Sequence, residues 1–389
     1  MPAPKPSEPA GDDIAQGGLI GPGGKISEEA IREAAELDLE DDGLRRVTFT
    51  LTRDLNKRLD KYLQDRIAFM SRTQLQRLID EGGVEVNGRA PKPSTKLRLG
   101  DVVEVVVPVP PSKEIQGEEI PIDVLYEDAQ ILVLNKSPDI IVHPARSHNS
   151  GTLLNALVWY FEHKSEGSLS GVGEEFARPG VVHRLDRKTS GVMVIAKDDE
   201  AHWRLGRQFE KRTTDKRYLA LVEGLVERDV EVIDLPIGPH PSRVKGMREK
   251  MVVRHDEWGK PAVTICRVRE RYRTELGHYT LVELELKTGR THQIRVHLSH
   301  TGYPIVGDDM YGGHVLRDGE RVVMDRQALH AAVLGFTHPH TREAVAFTAP
   351  LRGDMAGAIA LLRERGESSG VRTPAGATID MGMALAGLT

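Results

Sequence analysis

Residues 181–197 read VVHRLDRKTSGVMVIAK and place a charged loop between two apolar runs. The runs, residues 181–182 and 192–196, are rich in valine and isoleucine and are bounded by glycines, which predicts buried strands. The loop holds one carboxylate, Asp186, among three cations and a histidine. Nearby positive charge lowers the pKa of a carboxyl group, which suits a nucleophile or an anchored base better than a general acid. The charge spacing alone fits a salt-bridged turn in a β-protein equally well.

The composition limits the class of protein. A chain of 389 residues is long enough for two domains with tails, and its hydrophobic share of 39% indicates that part of it is unpacked. The single cysteine, Cys266, excludes a disulfide framework and a cysteine-based metal site. The N-terminus lacks an apolar signal segment, and no run of about 18 apolar residues occurs. We therefore expect a cytoplasmic protein with no membrane partner.

The charge is distributed unevenly along the chain. Residues 1–44 carry three cations and eleven acids, a net charge of −8, whereas residues 45–107 carry thirteen cations and eight acids, a net charge of +5. The remaining residues are near balance, so an acidic tail conceals a basic module within a total of −5. Regional charge is the better guide to partners, and here it favours nucleic acid.

The basic module, residues 46–107, combines two helical patterns with strand patterns. Leucine and isoleucine recur at helical spacing before and after Ser71, a candidate helix cap, and an Asn-Gly turn ends the strand that begins at Val84. Residues 97–107 predict a hairpin through the Gly100–Asp101 turn. The segments RLDKYL, SRTQLQRLIDEGGVEVNGR and KLRLGDVVEV resemble an S4-type RNA-binding domain, a small α+β fold.

The resemblance implies that the basic residues of this module contact RNA phosphates, which supply affinity without sequence information. The alternative is a solvated helix face, which is what most charge runs are. The candidate RNA-binding residues are Arg58, Lys61, Arg66, Arg72 and Arg77.

The rest of the chain predicts one larger domain between less ordered segments. We expect a disordered acidic tail over residues 1–45, a linker over 108–119, a catalytic domain over 120–352 and a C-terminal tail over 353–389. Consecutive strand patterns with short turns predict an α+β domain with a mixed, mainly antiparallel sheet.

Two further blocks of the larger domain carry chemistry. In Lys216-Arg217-Tyr218 a cationic pair leads into a strand, although a tyrosine at a strand start is usually a core residue. In residues 288–297, TGRTHQIRVH, a glycine turn precedes a helix with Arg290 and Arg295. A buried arginine requires an anionic partner, and Asp186 is the obvious candidate for either of them.

Several segments together resemble one enzyme family. HRLDRKTSGVMVIAK, KRYLALVEG, TGRTHQIRVHL, YPIVGDDMYG and RQALHA are similar, in order, to the RluA/RluD-type pseudouridine synthases of ribosomal RNA. LVLNKSPDIIVHPA and GTLLNAL fit the entry strands of that family, and the resemblance runs from about Arg46 to Leu351. Ser137-Pro138-Asp139-Ile140 departs from the usual Pro-Gly pair, and Lys188 stands where an acid is common.

The resemblance implies site residues and their roles. Asp186 corresponds to the essential catalytic aspartate, Tyr218 to a tyrosine that stacks on the base, and Arg295 to the cation paired with Asp186, with Arg290 the second choice. Arg184 is expected to fill the gap left by the flipped uridine. The implied substrate-binding residues are His183, Arg184, Leu185, Arg290 and His292.

The resemblance also implies the partners of the enzyme. The substrate is ribosomal RNA or a pre-ribosomal particle, most directly large-subunit RNA, and the protein is expected to be a monomer. The isomerisation conserves atoms, so no cofactor is required, and the family uses no metal. The base must leave its stack, because C1′ and C5 of a stacked uridine cannot be reached.

Three matters stay open at this level. A ribosome-assembly factor without catalytic activity predicts loss of one of Asp186, Tyr218 and Arg295. A carboxylate hydrolase such as a glycosidase needs a second acid, for which Glu283 and Glu285 are candidates. The basic segment 238–260 fits either an RNA-contacting loop or a solvated hairpin, and we favour RNA contact.

Overall fold

The computed structural model describes residues 13–16, 20, 24–27, 46–80, 82–107, 115–142, 150–165, 169, 180–242, 247 and 250–386. These residues fall into two compact units, one before residue 108 and one from residue 115 onwards. Most of the predicted acidic tail and of the predicted linker lies outside the described residues, as do Arg243, Lys245 and Arg248 of the basic segment.

The first unit is a small antiparallel sheet with two helices. Its elements in chain order are β1 (Asp13–Gln16), β2 (Arg46–Leu51), α1 (Leu59–Arg66), α2 (Arg72–Asp80), β3 (Val84–Val86) and β4 (Val102–Val106). The strands lie in the order β1-β2-β4-β3. Ser71 precedes α2, and its Oγ accepts a hydrogen bond from the Gln74 N–H at 3.3 Å, as the sequence predicts for a helix cap.

Two predictions for this unit are wrong in part. Residues 13–16 do not belong to a disordered tail, because β1 pairs with β2 and covers an edge strand that would otherwise be unpaired. Residues 97–107 do not form their own hairpin, because β4 pairs with β2 and β3 instead. Leu97 is buried, and its N–H donates to Lys57 O at 3.2 Å.

The second unit is built on a large mixed sheet. Its strands are β5 (Val124–Glu127), β6 (Ile131–Lys136), β7 (Ser190–Ala196), β8 (Asp215–Glu223), β9 (Val230–Asp234), β10 (Ile237–Pro239), β11 (Met251–Val253), β12 (Val263–Thr274), β13 (Gly277–Leu286), β14 (Leu316–Asp318), β15 (Arg321–Met324), β16 (Leu329–Thr337), β17 (Ala344–Thr348) and β18 (Gly366–Ser368). Its helices are α3 (Leu153–His163), α4 (Asp199–Glu210), α5 (Gln293–His300), α6 (Gly353–Glu364) and α7 (Met381–Ala384), with a 3₁₀ turn at Asp309–Tyr311.

The sheet order confirms the predicted fold class. Among the described residues, ten strands form one sheet in the order β18-β12-β13-β8-β16-β7-β6-β5, with β17 beside β16 and β9 beside β12. The β16–β7 pair is parallel, and the other described pairs of this sheet are antiparallel. The sheet is therefore mixed and mainly antiparallel, and strands β10 and β11 form a separate hairpin.

The second apolar run of the opening stretch forms the buried strand β7, whose seven residues are all inaccessible. The first run does not form a strand. Val181 makes an isolated bridge with Ile195, so the segment before the loop crosses β7 at a single point. Residues 183–189 therefore lie between one bridge and one strand, and side chains from other segments must hold them in place.

The C-terminal tail predicted over residues 353–389, with helical character only to about Arg365, is wrong in part, because residues 366–386 also belong to the folded unit. Helix α6 buries Met355, Ile359 and Leu362 in the core, and β18 pairs with β12. Beyond β18, the buried residues Ile379 and Met381 pack into the same hydrophobic cluster. The segment folds because its apolar residues and backbone groups find partners on β12 and β13, which are distant in sequence.

No described helix is long and apolar enough to cross a membrane.

Candidate active site

Asp186 and Arg295 form an ion pair at the start of α5. Arg295 Nη1 donates to Asp186 Oδ2 at 3.0 Å. The Arg295 side chain is 7% exposed, whereas the Asp186 side chain keeps 26% of its surface exposed. The carboxylate is thus reachable while its cation is buried. The other candidate cation, Arg290, directs its Nε to Pro261 O at 3.4 Å.

A second carboxylate fixes the guanidinium of Arg295. Asp308 is fully buried and accepts from Arg295 Nε at 2.7 Å and from Nη2 at 2.8 Å. This bidentate geometry leaves Nη1 directed at Asp186 and restricts rotation of the planar group. The sequence interpretation used Asp308 within YPIVGDDMYG only as part of a motif. A buried arginine has more N–H donors than one carboxylate accepts, and this need for a second acceptor could have pointed to Asp308.

His292 and Tyr311 complete the cluster. His292 Nε2 lies 3.7 Å from Asp186 Oδ2, and its Nδ1 lies 2.8 Å from the Tyr311 hydroxyl. That hydroxyl accepts the Met251 N–H at 3.0 Å, so its own proton is available to Nδ1. With Nδ1 as the acceptor, the proton of the neutral ring is on Nε2 and faces Asp186. His292 has φ 55° and ψ 19°, a left-handed backbone that only the surrounding contacts stabilise.

The surroundings keep Asp186 ionised. Burial alone would raise the pKa of this carboxyl group, but attraction to His292, Arg295 and Arg184 and the hydrogen bond from Arg295 outweigh it, and the pKa is lowered. Burial lowers the pKa of His292, so Arg295 provides the positive charge at neutral pH. Burial also raises the pKa of Tyr311 to about 12, so its hydroxyl stays protonated. The Tyr311 ring lies beneath the Arg295 guanidinium, with its centre 4.8 Å from Cζ.

His183 and Leu185 support the loop from the interior. The His183 ring is stacked on Phe209 at 4.4 Å, and its Nε2 accepts the Val194 N–H at 3.0 Å. Leu185 is buried in the cluster beneath β6 and β7. Both side chains are buried, which suits them to support the loop. Arg184 between them is half-buried and remains a candidate substrate contact.

Lys136, at the end of β6, holds the loop at Arg187, the residue after Asp186. The side chain is buried, and Nζ donates to the carbonyl oxygens of Ser137, Ile140 and Arg187 at 2.8, 3.0 and 3.0 Å. An ammonium group has three N–H donors, one for each of these acceptors. Burial lowers the pKa of Lys136 to about 7, while Asp186 favours the charged form. The sequence interpretation did not identify this lysine, which lies in the segment LVLNKSP.

The segment that begins β16 holds the far side of the loop. Arg326 Nη1 donates to Lys188 O at 3.0 Å, Gln327 Nε2 donates to Thr189 Oγ1 at 3.1 Å, and His330 Nδ1 lies 2.9 Å from Ser190 Oγ. Arg326 is itself held by Asp354 at the start of α6, through contacts of 2.6 and 2.8 Å. The residues after Asp186 are therefore anchored one by one.

Tyr218 lies in the central sheet rather than within the carboxylate cluster. Its cross-strand partners are Leu284 on β13 and Ala331 on β16, and Ala331 in turn pairs with Gly191 on β7. Tyr218 thus lies in the same cross-strand row as Gly191, near the start of β7 and two strands away. Its half-buried ring contacts both hydrophobic clusters of the unit.

Comparison with known proteins identifies the family. The model of the RNA pseudouridylate synthase family matches residues 130–300, and the S4 domain model matches residues 57–103. A Bacillus subtilis (strain 168) protein named uncharacterized RNA pseudouridine synthase YlyB is 44% identical over 311 residues, which are 80% of this chain and 96% of the relative. The chain belongs to the RNA pseudouridine synthase family.

A second relative and a solved structure support the same family. Ribosomal large subunit pseudouridine synthase D of Vibrio vulnificus (strain CMCP6) is 38% identical over 326 residues, 82% of this chain and 94% of that protein. The solved structure of human RNA pseudouridylate synthase domain containing 1 is 26% identical, with a TM-score of 0.50 over 67% of this chain and 93% of that one. The resemblance drawn from the motifs is confirmed, and the protein is an isomerase with an S4 domain.

In the S4 unit of the synthase, two of the predicted RNA-binding cations also serve the fold. Arg58 Nε and Arg72 Nη2 each contact the buried carboxylate of Asp60 at 3.0 Å. The Arg58 hydrogen bond holds the pKa of Asp60 well below its ordinary value despite burial. Both arginines keep more than two-fifths of their side-chain surface exposed. Lys61 and Arg77 are exposed, and Arg66 lies 5.3 Å from the Tyr62 ring centre.

The two acids considered for a hydrolase, Glu283 and Glu285, form ion pairs with arginines away from Asp186. Glu283 pairs with Arg269, and Glu285 lies 2.8 Å from Arg217 Nη1 and 2.9 Å from Arg267 Nη2. Because Leu284 between them is the cross-strand partner of Tyr218, these acids face the other side of the sheet from Tyr218. The geometry gives no support to a glycosidase pair.

Proposed function

We propose that this synthase converts specific uridines of large-subunit (23S) ribosomal RNA to pseudouridine, with Asp186 as its essential carboxylate. The observation that carries the proposal is the partly exposed Asp186 paired with the buried Arg295, whose other edge is held by Asp308. A carboxylate kept ionised and reachable is suited to act on a nucleotide.

The reaction breaks the bond between N1 and C1′ and forms a bond between C5 and C1′. The C5 proton leaves and N1 gains a proton, so the composition of the nucleotide is unchanged. Asp186 acts either by attacking the nucleotide or by promoting its deprotonation, and both routes need the ionised form. Because no group is oxidised or reduced, the step requires no redox partner.

The target uridine leaves its stack before the reaction. Extrusion costs a few kcal/mol and is least costly in loops and other single-stranded regions. We propose that the Tyr218 ring stacks on the extruded base and that the guanidinium of Arg184 occupies the gap it leaves. Arg290 and His292, on either side of the turn before α5, are proposed contacts of the same nucleotide.

The S4 unit is proposed to dock on the RNA through phosphates. The exposed parts of Arg58, Lys61, Arg66, Arg72 and Arg77 are suited to this, and such contacts supply affinity rather than sequence choice. The name of the relative from Vibrio vulnificus supports ribosomal RNA as the substrate class. We propose a cytoplasmic monomer, as the family resemblance implies.

Mapping of pseudouridine in ribosomal RNA tests the proposal. RNA from cells that lack the protein is compared with RNA from the same cells supplied with the wild type or with Asp186→Asn. We expect at least one 23S position that is modified only with the wild type. Unchanged maps in all three strains, or full restoration by Asp186→Asn, would overturn it, and a change confined to transfer RNA would reassign the substrate.

A further inference from the structure

Trp258 is a large apolar side chain on a rigid exposed turn. Its residue is 60% exposed, in contrast to the buried Trp203 of α4. Trp258 N–H donates to Asp256 Oδ1 at 3.2 Å, and the Gly259 N–H donates to Asp256 O at 3.0 Å. An exposed tryptophan leaves much apolar surface in water, and such side chains are common in binding surfaces.

Close packing fixes the backbone of this turn. A Cβ at Gly238 would clash with the carbonyl group of Trp258, and a Cβ at Gly259 would clash with the carbonyl oxygen of Arg254. Lys260 pairs with Ile237 through hydrogen bonds of 2.8 and 2.9 Å. The indole is therefore held outward by a backbone that has little freedom, which lowers the entropy lost on binding.

The turn is connected to the Asp186 cluster by direct contacts. The hairpin of β10 and β11 shares a small core with Val296 of α5 and with Tyr311, and Met251 N–H donates to the Tyr311 hydroxyl. Lys260, two residues after Trp258, pairs with Ile237 of β10 and so connects the turn to this hairpin. Pro261, three residues after Trp258, accepts from Arg290.

Resting on the proposed function, we infer that Trp258 stacks on an unpaired RNA base close to the target uridine. Single-stranded RNA presents the flat faces of its bases, and aromatic side chains bind them with little sequence preference. The exposed Lys260 lies two residues after the indole, and Arg290 contacts the same segment, whereas Arg254 is paired with Asp256. A base extruded into the site leaves its neighbours unstacked, and Trp258 restores one of the lost stacks.

The test measures binding and turnover of an unmodified 23S ribosomal RNA transcript by three variants. Trp258→Ala should raise Kd and KM about tenfold or more and change kcat at saturating RNA by less than about threefold. Trp258→Phe should restore most of the affinity, because it keeps an aromatic face. Val232→Ala, at an apolar residue of similar exposure (61%) on β9, should leave Kd unchanged.

Wild-type affinity in Trp258→Ala would overturn the stacking inference. So would normal binding of the free transcript combined with loss of modification only in ribosomal particles, since that result indicates a protein partner. Binding is measured separately from isomerisation. A wild type that binds the transcript but modifies no uridine in it would contradict the proposed function, and the Kd comparison would still decide the role of Trp258.

Discussion

Asp308 holds Arg295 by two hydrogen bonds, from Nε at 2.7 Å and from Nη2 at 2.8 Å, and both side chains are buried. The geometry leaves a single edge of the guanidinium for Asp186. A charge that must act on another group is useful only where its orientation is fixed. Asp308 therefore acts as a positioning residue for Arg295.

Asp308→Asn should lower kcat by about 10- to 100-fold with little change in KM, since a misplaced guanidinium no longer holds Asp186 in its reactive orientation. Asp309→Asn is the matched control, because Asp309 is the exposed neighbour. Single-turnover rates on a 23S transcript measure the effect. Equal rates for Asp308→Asn and Asp309→Asn would show that the orientation of Arg295 is unimportant.

The pH dependence of the reaction reports the Arg295–Asp186 pair. Arg295 lowers the pKa of Asp186, so the reactive ionised form persists in the wild type below the ordinary pKa of an aspartate. Arg295→Gln removes that attraction while burial remains, so the acid limb of kcat/KM should move to higher pH by about one unit or more. Arg295→Lys should move it less. An acid limb at the same pH in all three proteins would remove Arg295 from this role.

Lys136→Met should lower both activity and stability. Three backbone carbonyl groups lose their donor, and each buried unsatisfied group costs about 1–3 kcal/mol. Because one of them belongs to Arg187, we expect slower isomerisation as well as a lower free energy of unfolding. Lys211→Met, at an exposed lysine after α4, serves as the control in denaturant titrations and rate measurements. A Lys136→Met protein with wild-type turnover would contradict the proposed anchoring of the loop.

Much of the fold follows from local pattern. The helices α1 and α2, the strands β3, β7 and β8 and the helix α5 occur where the sequence pattern predicts them, because each buries its own apolar residues. The charged loop and the turn before α5 were also identified as chemically important. The residues alone left Arg295 and Arg290 open as partners of Asp186, the family resemblance favoured Arg295, and the fold shows that pair.

The missed features all depend on partners distant in sequence. Asp308, Lys136 and Arg326 are recognisable only when the carbonyl groups and side chains that they hold are in place. Residues 366–386 are rich in glycine and alanine and predict a tail. They are ordered because Thr378 N–H donates to the buried Glu283 at 2.9 Å, and because Arg267 and Arg269 donate to their carbonyl groups. A short stretch of sequence around residues 366–386 contains none of these partners.

Glu283→Gln should destabilise the catalytic unit by about 3–5 kcal/mol, because it leaves Arg269 as a buried charge without its carboxylate. Glu275→Gln is the control, since Glu275 is 66% exposed and contacts Arg365 at 3.5 Å. We expect that exposed pair to contribute about 0–1 kcal/mol. Urea denaturation of both variants measures the difference. Equal midpoints would show that the C-terminal residues do not depend on the Arg269–Glu283 pair.

Ionised Asp186 is proposed to isomerise uridine in 23S ribosomal RNA. The most direct measurement uses a transcript labelled with tritium at uridine C5, because formation of the C5–C1′ bond releases that hydrogen to water. Wild-type protein should release tritium, whereas Asp186→Asn should release none above background while binding the transcript with similar Kd. Release by Asp186→Asn at the wild-type rate would contradict the account.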